Sequence, residues 1–92
     1  MDEVRMMAGA GGSRLYEGAG TFKTSDGTLN KGTRSIFIRA DQTAMITSMK
    51  IGGVAVTAKP VGADLLAGDF YTLKGDLSEI VLAGGSFIGY QG

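Results

Sequence analysis

The chain has 92 residues, nine basic and nine acidic, with sixteen glycines, one proline and no cysteine, histidine or tryptophan. That length makes a single domain that buries roughly 60–65% of its unfolded surface. Balanced charge gives no broad field to steer the chain to nucleic acid or an anionic membrane, and the missing histidine and cysteine remove Ser–His pairs, imidazole ligands, thiol nucleophiles, zinc clusters and disulfides.

So many glycines without a collagen period point to an all-β chain rich in tight turns. Met1-Asp2-Glu3-Val4-Arg5 carries acids where a secretion signal carries bases, and no apolar core follows. No run approaches the roughly 20 apolar residues that cross a bilayer as a helix. The expectation is a protein made and folded in a cytoplasm.

Residues 1–14 read as an extended N-terminal arm ahead of one β domain over 15–92. Met6-Met7-Ala8-Gly9-Ala10-Gly11-Gly12-Ser13 is dominated by small residues whose ordering nothing local offsets. Such an arm is either a flexible tail or one that orders only on a partner, with Met6 and Met7 then as adaptable apolar anchors.

Leu15-Tyr16-Glu17 begins a strand. Asp26-Gly27 predicts a type I′ hairpin that pairs Thr24 with Leu29 and Lys23 with Asn30. Its apolar face carries Phe22, Thr24 and Leu29, and its back is polar. Ser35-Ile36-Phe37-Ile38-Arg39 is a β-branched, aromatic strand with Ile36 and Ile38 on one face and Phe37 and Arg39 on the other. Gly52-Gly53 predicts a second hairpin, with Ile51 facing Val54 and Met49 facing Val56; Met45 joins that face by alternation.

Residues 58–68 read as a connection, in which Pro60 forbids ladder pairing at its own nitrogen. Asp64-Leu65-Leu66-Ala67-Gly68 suggests one helical turn closed by Gly68. Asp69 to Leu73 is a strand. Ser78–Ala83 and Ser86–Tyr90 then read as a third hairpin about Gly84-Gly85, with Leu82 facing Phe87 and Val81 facing Ile88. One of its faces carries Ile80, Leu82 and Phe87; the other carries Val81, Ala83, Ile88 and Tyr90. Seven or eight short strands without a convincing helix predict a compact antiparallel β-sandwich or small jelly-roll-like barrel.

The residues offer little chemistry. Asp64, Asp69, Asp76 and Glu79 lie in loops or at strand ends, without the close spacing of a calcium loop. Gly9-Ala10-Gly11-Gly12-Ser13 lacks the Lys and the flanking strand and helix of a phosphate loop. Phe37 with Arg34 and Arg39 is read as core or interface rather than a nucleic-acid strand. No catalytic residue, metal ligand or cofactor is expected, and the chain is read as a non-enzyme. Tyr16, Tyr71, Phe87 and Tyr90 would suit a sugar platform if exposed, which makes a carbohydrate-binding module the alternative reading.

Apolar residues on both faces of Ile36–Ile38, Ile80–Ala83 and Phe87–Tyr90 exceed what one thin sandwich covers. Either the 58–68 connection covers the surplus or another chain does. The second option makes Ile36, Ile38, Val81, Phe87, Ile88 and Tyr90 the expected homo-oligomer interface.

Ser35-Ile36-Phe37-Ile38, Lys50-Ile51-Gly52-Gly53-Val54-Ala55-Val56-Thr57, Gly68-Asp69-Phe70-Tyr71 and Leu82-Ala83-Gly84-Gly85-Ser86-Phe87-Ile88-Gly89-Tyr90 resemble small structural domains of tailed bacteriophages. Such domains occur in head-decoration, head-fibre and tail or spike-base proteins. The resemblance covers residues 35–90 and rests on the Gly-Gly cadence and the closing strand that ends in Tyr. It implies a non-enzymatic virion component, often trimeric, docked on a major capsid or other virion protein after synthesis in the host cytoplasm. No nucleic-acid or membrane partner is expected.

Overall fold

The computed structural model describes residues 12–57, 60–62 and 64–92; Met6 and Met7 lie outside them. Among the described residues the chain is all-β, as expected, and its antiparallel sheet curls into a half-barrel. The strands are β1 (Ser13–Glu17), β2 (Gly20–Lys23), β3 (Thr33–Phe37), β4 (Ala44–Ile51), β5 (Val54–Ala55), β6 (Asp64–Leu65), β7 (Phe70–Thr72) and β8 (Leu77–Gln91). Ser13 and Arg14, assigned by sequence to the arm, begin β1.

Everything is built on β8, whose 15 residues run through both halves of the sheet. One edge of β8 is taken by β1 and then β2, with Tyr16 opposite Phe87 and Phe22 opposite Ile80. The other edge is taken by β3 along the C-terminal half and β4 along the N-terminal half. Two sub-sheets result. Sheet I is β1–β8–β3–β7; sheet II is β2–β8–β4, extended by β5 and β6. They share β8 as a corner strand and enclose the core between them.

The expected hairpin about Gly84-Gly85 is therefore absent, and Leu82 does not face Phe87. A type I′ turn needs positive φ at both central residues. Gly52 and Gly53 meet that requirement at 57° and 83°, and they form the expected turn with Ile51 opposite Val54. In the other pair only Gly85 has positive φ, 83°. The chain bends there and continues. Three residues of β8, 83–85, oppose the two residues 18–19 that join β1 to β2, which makes a glycine bulge.

Gly85 is also where β4 begins. Ser86 N–H donates to the Thr43 carbonyl at 2.9 Å. A Cβ on Gly85 would overlap that carbonyl oxygen and come within 2.8 Å of the Ala44 Cα.

The core consists of Tyr16, Leu29, Ile36, Ile38, Ala44, Ile46, Met49, Leu65, Leu77, Ile80, Leu82 and Phe87. Tyr16 stacks on Phe87 at 4.9 Å and meets Phe22 edge-on at 5.3 Å. Its hydroxyl accepts the Asn30 N–H at 2.9 Å, so the buried phenol is satisfied.

Three local expectations change. Asp26-Gly27 closes a 3₁₀ turn, Thr24–Asp26, because the Asp26 carboxylate accepts from the Thr28 hydroxyl and N–H at 2.6 and 3.0 Å. Leu29 N–H then reaches the Lys23 carbonyl at 3.1 Å, one residue off the predicted register. In β4 the register with β8 shifts on either side of Ile46, so Ala44 and Ile46 face inward with Met49 and Met45 is only half-buried. Residues 64–68 form no helical turn. Asp64 and Leu65 pair with Met45 and Ala44, and Leu65 is buried in the core.

The bend makes the two glycines unequal. Gly85→Ala is expected to cost about 3 kcal/mol or more, from overlap and a strained φ together. Gly84→Ala, with nothing near its Cβ, should change stability by less than about 1 kcal/mol. Urea denaturation of the two variants measures this, and equal losses would point to a two-residue turn instead.

Candidate interaction face

Alternation along the strands gives sheet I an inner and an outer face. On the inner face Ile36 pairs with Gly89 and Tyr71, next to Tyr16 and Phe87. Gly89 leaves no room for a side chain, since a Cβ would lie 3.0 Å from both Thr33 and Tyr16. Burial, and secondarily the Asp69 charge, push the Tyr71 phenol above its ordinary pKa.

On the outer face one row crosses all four strands of sheet I. Leu15 on β1 stands opposite Ile88 on β8; Ile88 stands opposite Phe37 on β3; Phe37 stands opposite Phe70 on β7. Every member is apolar. Leu15 is 39% exposed and Phe70 is 56% exposed, while Ile88 and Phe37 are half-buried by their neighbours. The Phe37 and Phe70 rings lie 6.4 Å apart, tilted by 52°.

The next outward row is Ser13, Tyr90, Ser35 and Thr72. Together Ser35, Phe37, Phe70 and Tyr90 line a shallow depression of about 440 Å³. On the side of the bend, outward-facing Ser86 is covered by its hydrogen bond to the Gln42 side chain.

The outer face of sheet II is different. Lys23, Glu79, Lys50 and Ala55 form one row, and Thr21, Val81 and Ser48 form the next. Alternating charges across neighbouring strands suit solvent. A polar outer face on one sub-sheet and an apolar row on the other distinguish the second as the candidate site.

The predicted interface residues divide between these faces. Ile36, Ile38 and Phe87 are wholly enclosed in the chain's own core and have no surface to present to a second copy. Ile88 and Tyr90 lie on the outer face of sheet I. Val81 is half-buried on the polar face of sheet II. The sequence pattern does not single out Leu15 or Phe70, and it reads Phe37 as core or interface. The signal for Phe37 was present, since it alternates with two isoleucines that are both buried. Leu15 and Phe70 gave no local signal, because each joins the row only through its strand's pairing partner.

The four aromatics considered for a sugar platform are not coplanar on one surface. Tyr16 and Phe87 are buried, Tyr71 faces inward, and only Tyr90 lies on the outer face. Among the acids, Asp76 accepts Arg34 at 2.6 Å on the surface, Asp69 accepts the Leu66 N–H at 2.9 Å, and Glu79 sits in the charged row. Among the described residues no three acidic, histidine or cysteine side chains gather to hold a metal ion. No helix among them is long and apolar enough to cross a membrane.

A second concavity, about 390 Å³, lies between the β4–β5 hairpin and the segment after β7, lined by Met49, Ile51, Val54, Val56, Leu73 and Lys74 among others. Among the described residues that line it, most are apolar and Lys74 is the one charged side chain. Comparison of the chain with protein-family models, curated proteins and solved structures finds no match.

Inner and outer residues of sheet I separate by stability. Phe87→Ala should cost about 3–5 kcal/mol through loss of the Tyr16 stack and the cavity left behind. Phe70→Ala should cost less than about 1 kcal/mol, as at an ordinary surface site. Chemical denaturation reads both, and a core-sized loss at Phe70 would remove it from the outer face.

Proposed function

We propose that this protein is a non-catalytic assembly component that homo-oligomerises and docks on a larger structure through the outer face of sheet I. In its finer form it is a virion structural protein of the capsid-decoration, fibre or tail-base connector kind. The observation that carries the assembly role is the row Leu15–Ile88–Phe37–Phe70, apolar across four strands, with Leu15 and Phe70 exposed. Among its described residues, the 58–68 connection, the alternative cover, sends Leu65 into the core beside β4 and leaves Leu66 exposed.

The resemblance of residues 35–90 to tailed-phage domains supports the virion setting. Of its two Gly-Gly elements, Gly52-Gly53 is a hairpin and Gly84-Gly85 is a bend. The likeness therefore rests on the first hairpin, on Gly68-Asp69-Phe70-Tyr71 leading into β7, and on a closing strand that ends near Tyr90. The partners in this reading are other copies of the chain, with the trimer that the resemblance implies, and a major capsid or other virion protein. The setting in this reading is the virion.

Magnitudes bound what the face does alone. Each of its five large side chains, already half-covered, gains about 1 kcal/mol on full burial. A total of about 5 kcal/mol, set against the entropy of association, gives at best millimolar binding. A stable assembly needs this face plus further contacts.

Light scattering at micromolar concentration is expected to give a mass above one chain. Phe70→Asp should lower it to a single chain while circular dichroism and the urea midpoint stay near those of the parent. A monodisperse monomer for the parent chain would overturn self-association. An unchanged oligomer for Phe70→Asp would move the contact off this face. Binding of a glycan by the parent and not by Phe70→Asp would replace assembly with carbohydrate recognition.

A further inference from the structure

Resting on that reading, we infer that the outer face of sheet I receives the Val4–Met7 stretch from the N-terminal segment of a second copy of this chain. The acceptor is specific in shape. Phe37, Phe70, Tyr90 and Ser35 line the depression, and Ile88 and Leu15 continue the apolar row from Phe37. Two aromatic rings 6.4 Å apart favour an unbranched, polarisable side chain over a rigid one. Met6 and Met7 are such side chains, and Val4 adds a third apolar group two residues away.

Position and length select a neighbour's face. The chain enters sheet I at Ser13, opposite Tyr90, and the Gly12 carbonyl accepts Gln91 N–H at 2.8 Å. The N-terminal segment therefore joins the described chain at the end of the sheet, at the start of β1. Eleven extended residues reach roughly 36 Å, whereas four strands span only about 14 Å. The largest dimension of the molecule is 38 Å, so the segment is long enough to reach a neighbouring subunit. Docking on its own face would need the chain to reverse within residues 8–12; docking on a neighbour's needs no reversal.

Ala8-Gly9-Ala10-Gly11-Gly12 has no side chain larger than a methyl, which suits a stretch that passes closely between two subunits. The contact supplies the further apolar burial that the face alone lacks. It also joins two different surfaces, a donor segment and an acceptor face. Such a heterologous contact gives a cyclic oligomer where its rotation closes and an open filament where it does not.

The test uses the full chain throughout. Met6→Asp/Met7→Asp is expected to reduce the mass in light scattering to one chain, as Phe70→Asp does, with the fold unchanged by circular dichroism. A synthetic peptide of residues 1–12 should then bind the Met6→Asp/Met7→Asp protein, shifting the amide resonances of Ile88 and Phe37. The same peptide should bind Phe70→Asp at least tenfold more weakly. If the methionine variant keeps the parent mass while Phe70→Asp dissociates, the face is covered by another surface; the inference fails and the assembly role stands. If the peptide binds but the parent is a monomer, the segment serves its own subunit and the exchange is overturned. If neither variant changes the mass, both the inference and the role of this face fail.

Discussion

The close approach of two backbones at Gly85 is the constraint on which the rest depends. β4 starts against it, with the Thr43 carbonyl where a Cβ would otherwise be. Because that site accepts only hydrogen, β8 can pass β4's first residue, bend, and run on beside β3. The bend turns one long strand into the shared edge of two sub-sheets. Those sub-sheets then face each other closely enough for Tyr16 to stack on Phe87 while Ile80 and Leu82 pack from the other half. A straight strand of this length would give a flat, one-layer sheet with nothing to close over its apolar side.

Much of the fold was legible because it is written locally. The alternation of Ile36, Phe37 and Ile38 assigned their faces, and Gly52-Gly53 assigned a turn with its register. The same dipeptide at 84–85 was misread because its outcome is decided by distant residues. Its flanks have better partners than each other: β1 and β2 on one edge, β3 and β4 on the other. A glycine pair permits a reversal without requiring one. The pairing of β1 with the end of β8 joins opposite ends of the chain, so Leu15 could not be placed beside Ile88 from spacing. Asp26-Gly27 failed for a local reason, since an acceptor two residues before Thr28 favours an Asx-type turn over type I′.

The candidate face was half legible for the same reasons. Apolar residues on both sides of the last strand are visible in the sequence, and in the structure Ile88 and Tyr90 lie on the outer face while Phe87 lies inside. Which side lies inside was not visible for Ile36 and Ile38, and the interior claimed them. A core takes the side that has partners across the sandwich, and Ile36 and Ile38 meet Phe87 and Leu65 in one cluster. What remains outside is what the interior could not use.

The bulge decides that remainder. Along a regular strand, residues in step with Leu82 would be 84, 86, 88 and 90, and Ile88 and Tyr90 would point into the core. The extra residue near Gly85 shifts the step by one. Phe87 and Gly89 turn inward, where Gly89 leaves space for Thr33 and Tyr16. Ile88 and Tyr90 turn outward, Ile88 into the row with Leu15, Phe37 and Phe70 and Tyr90 beside it. The feature that closes the interior therefore also creates the exposed apolar track. Fold and face cannot be tuned independently: a change that straightened β8 would bury the track and expel Phe87, losing the surface and the core together.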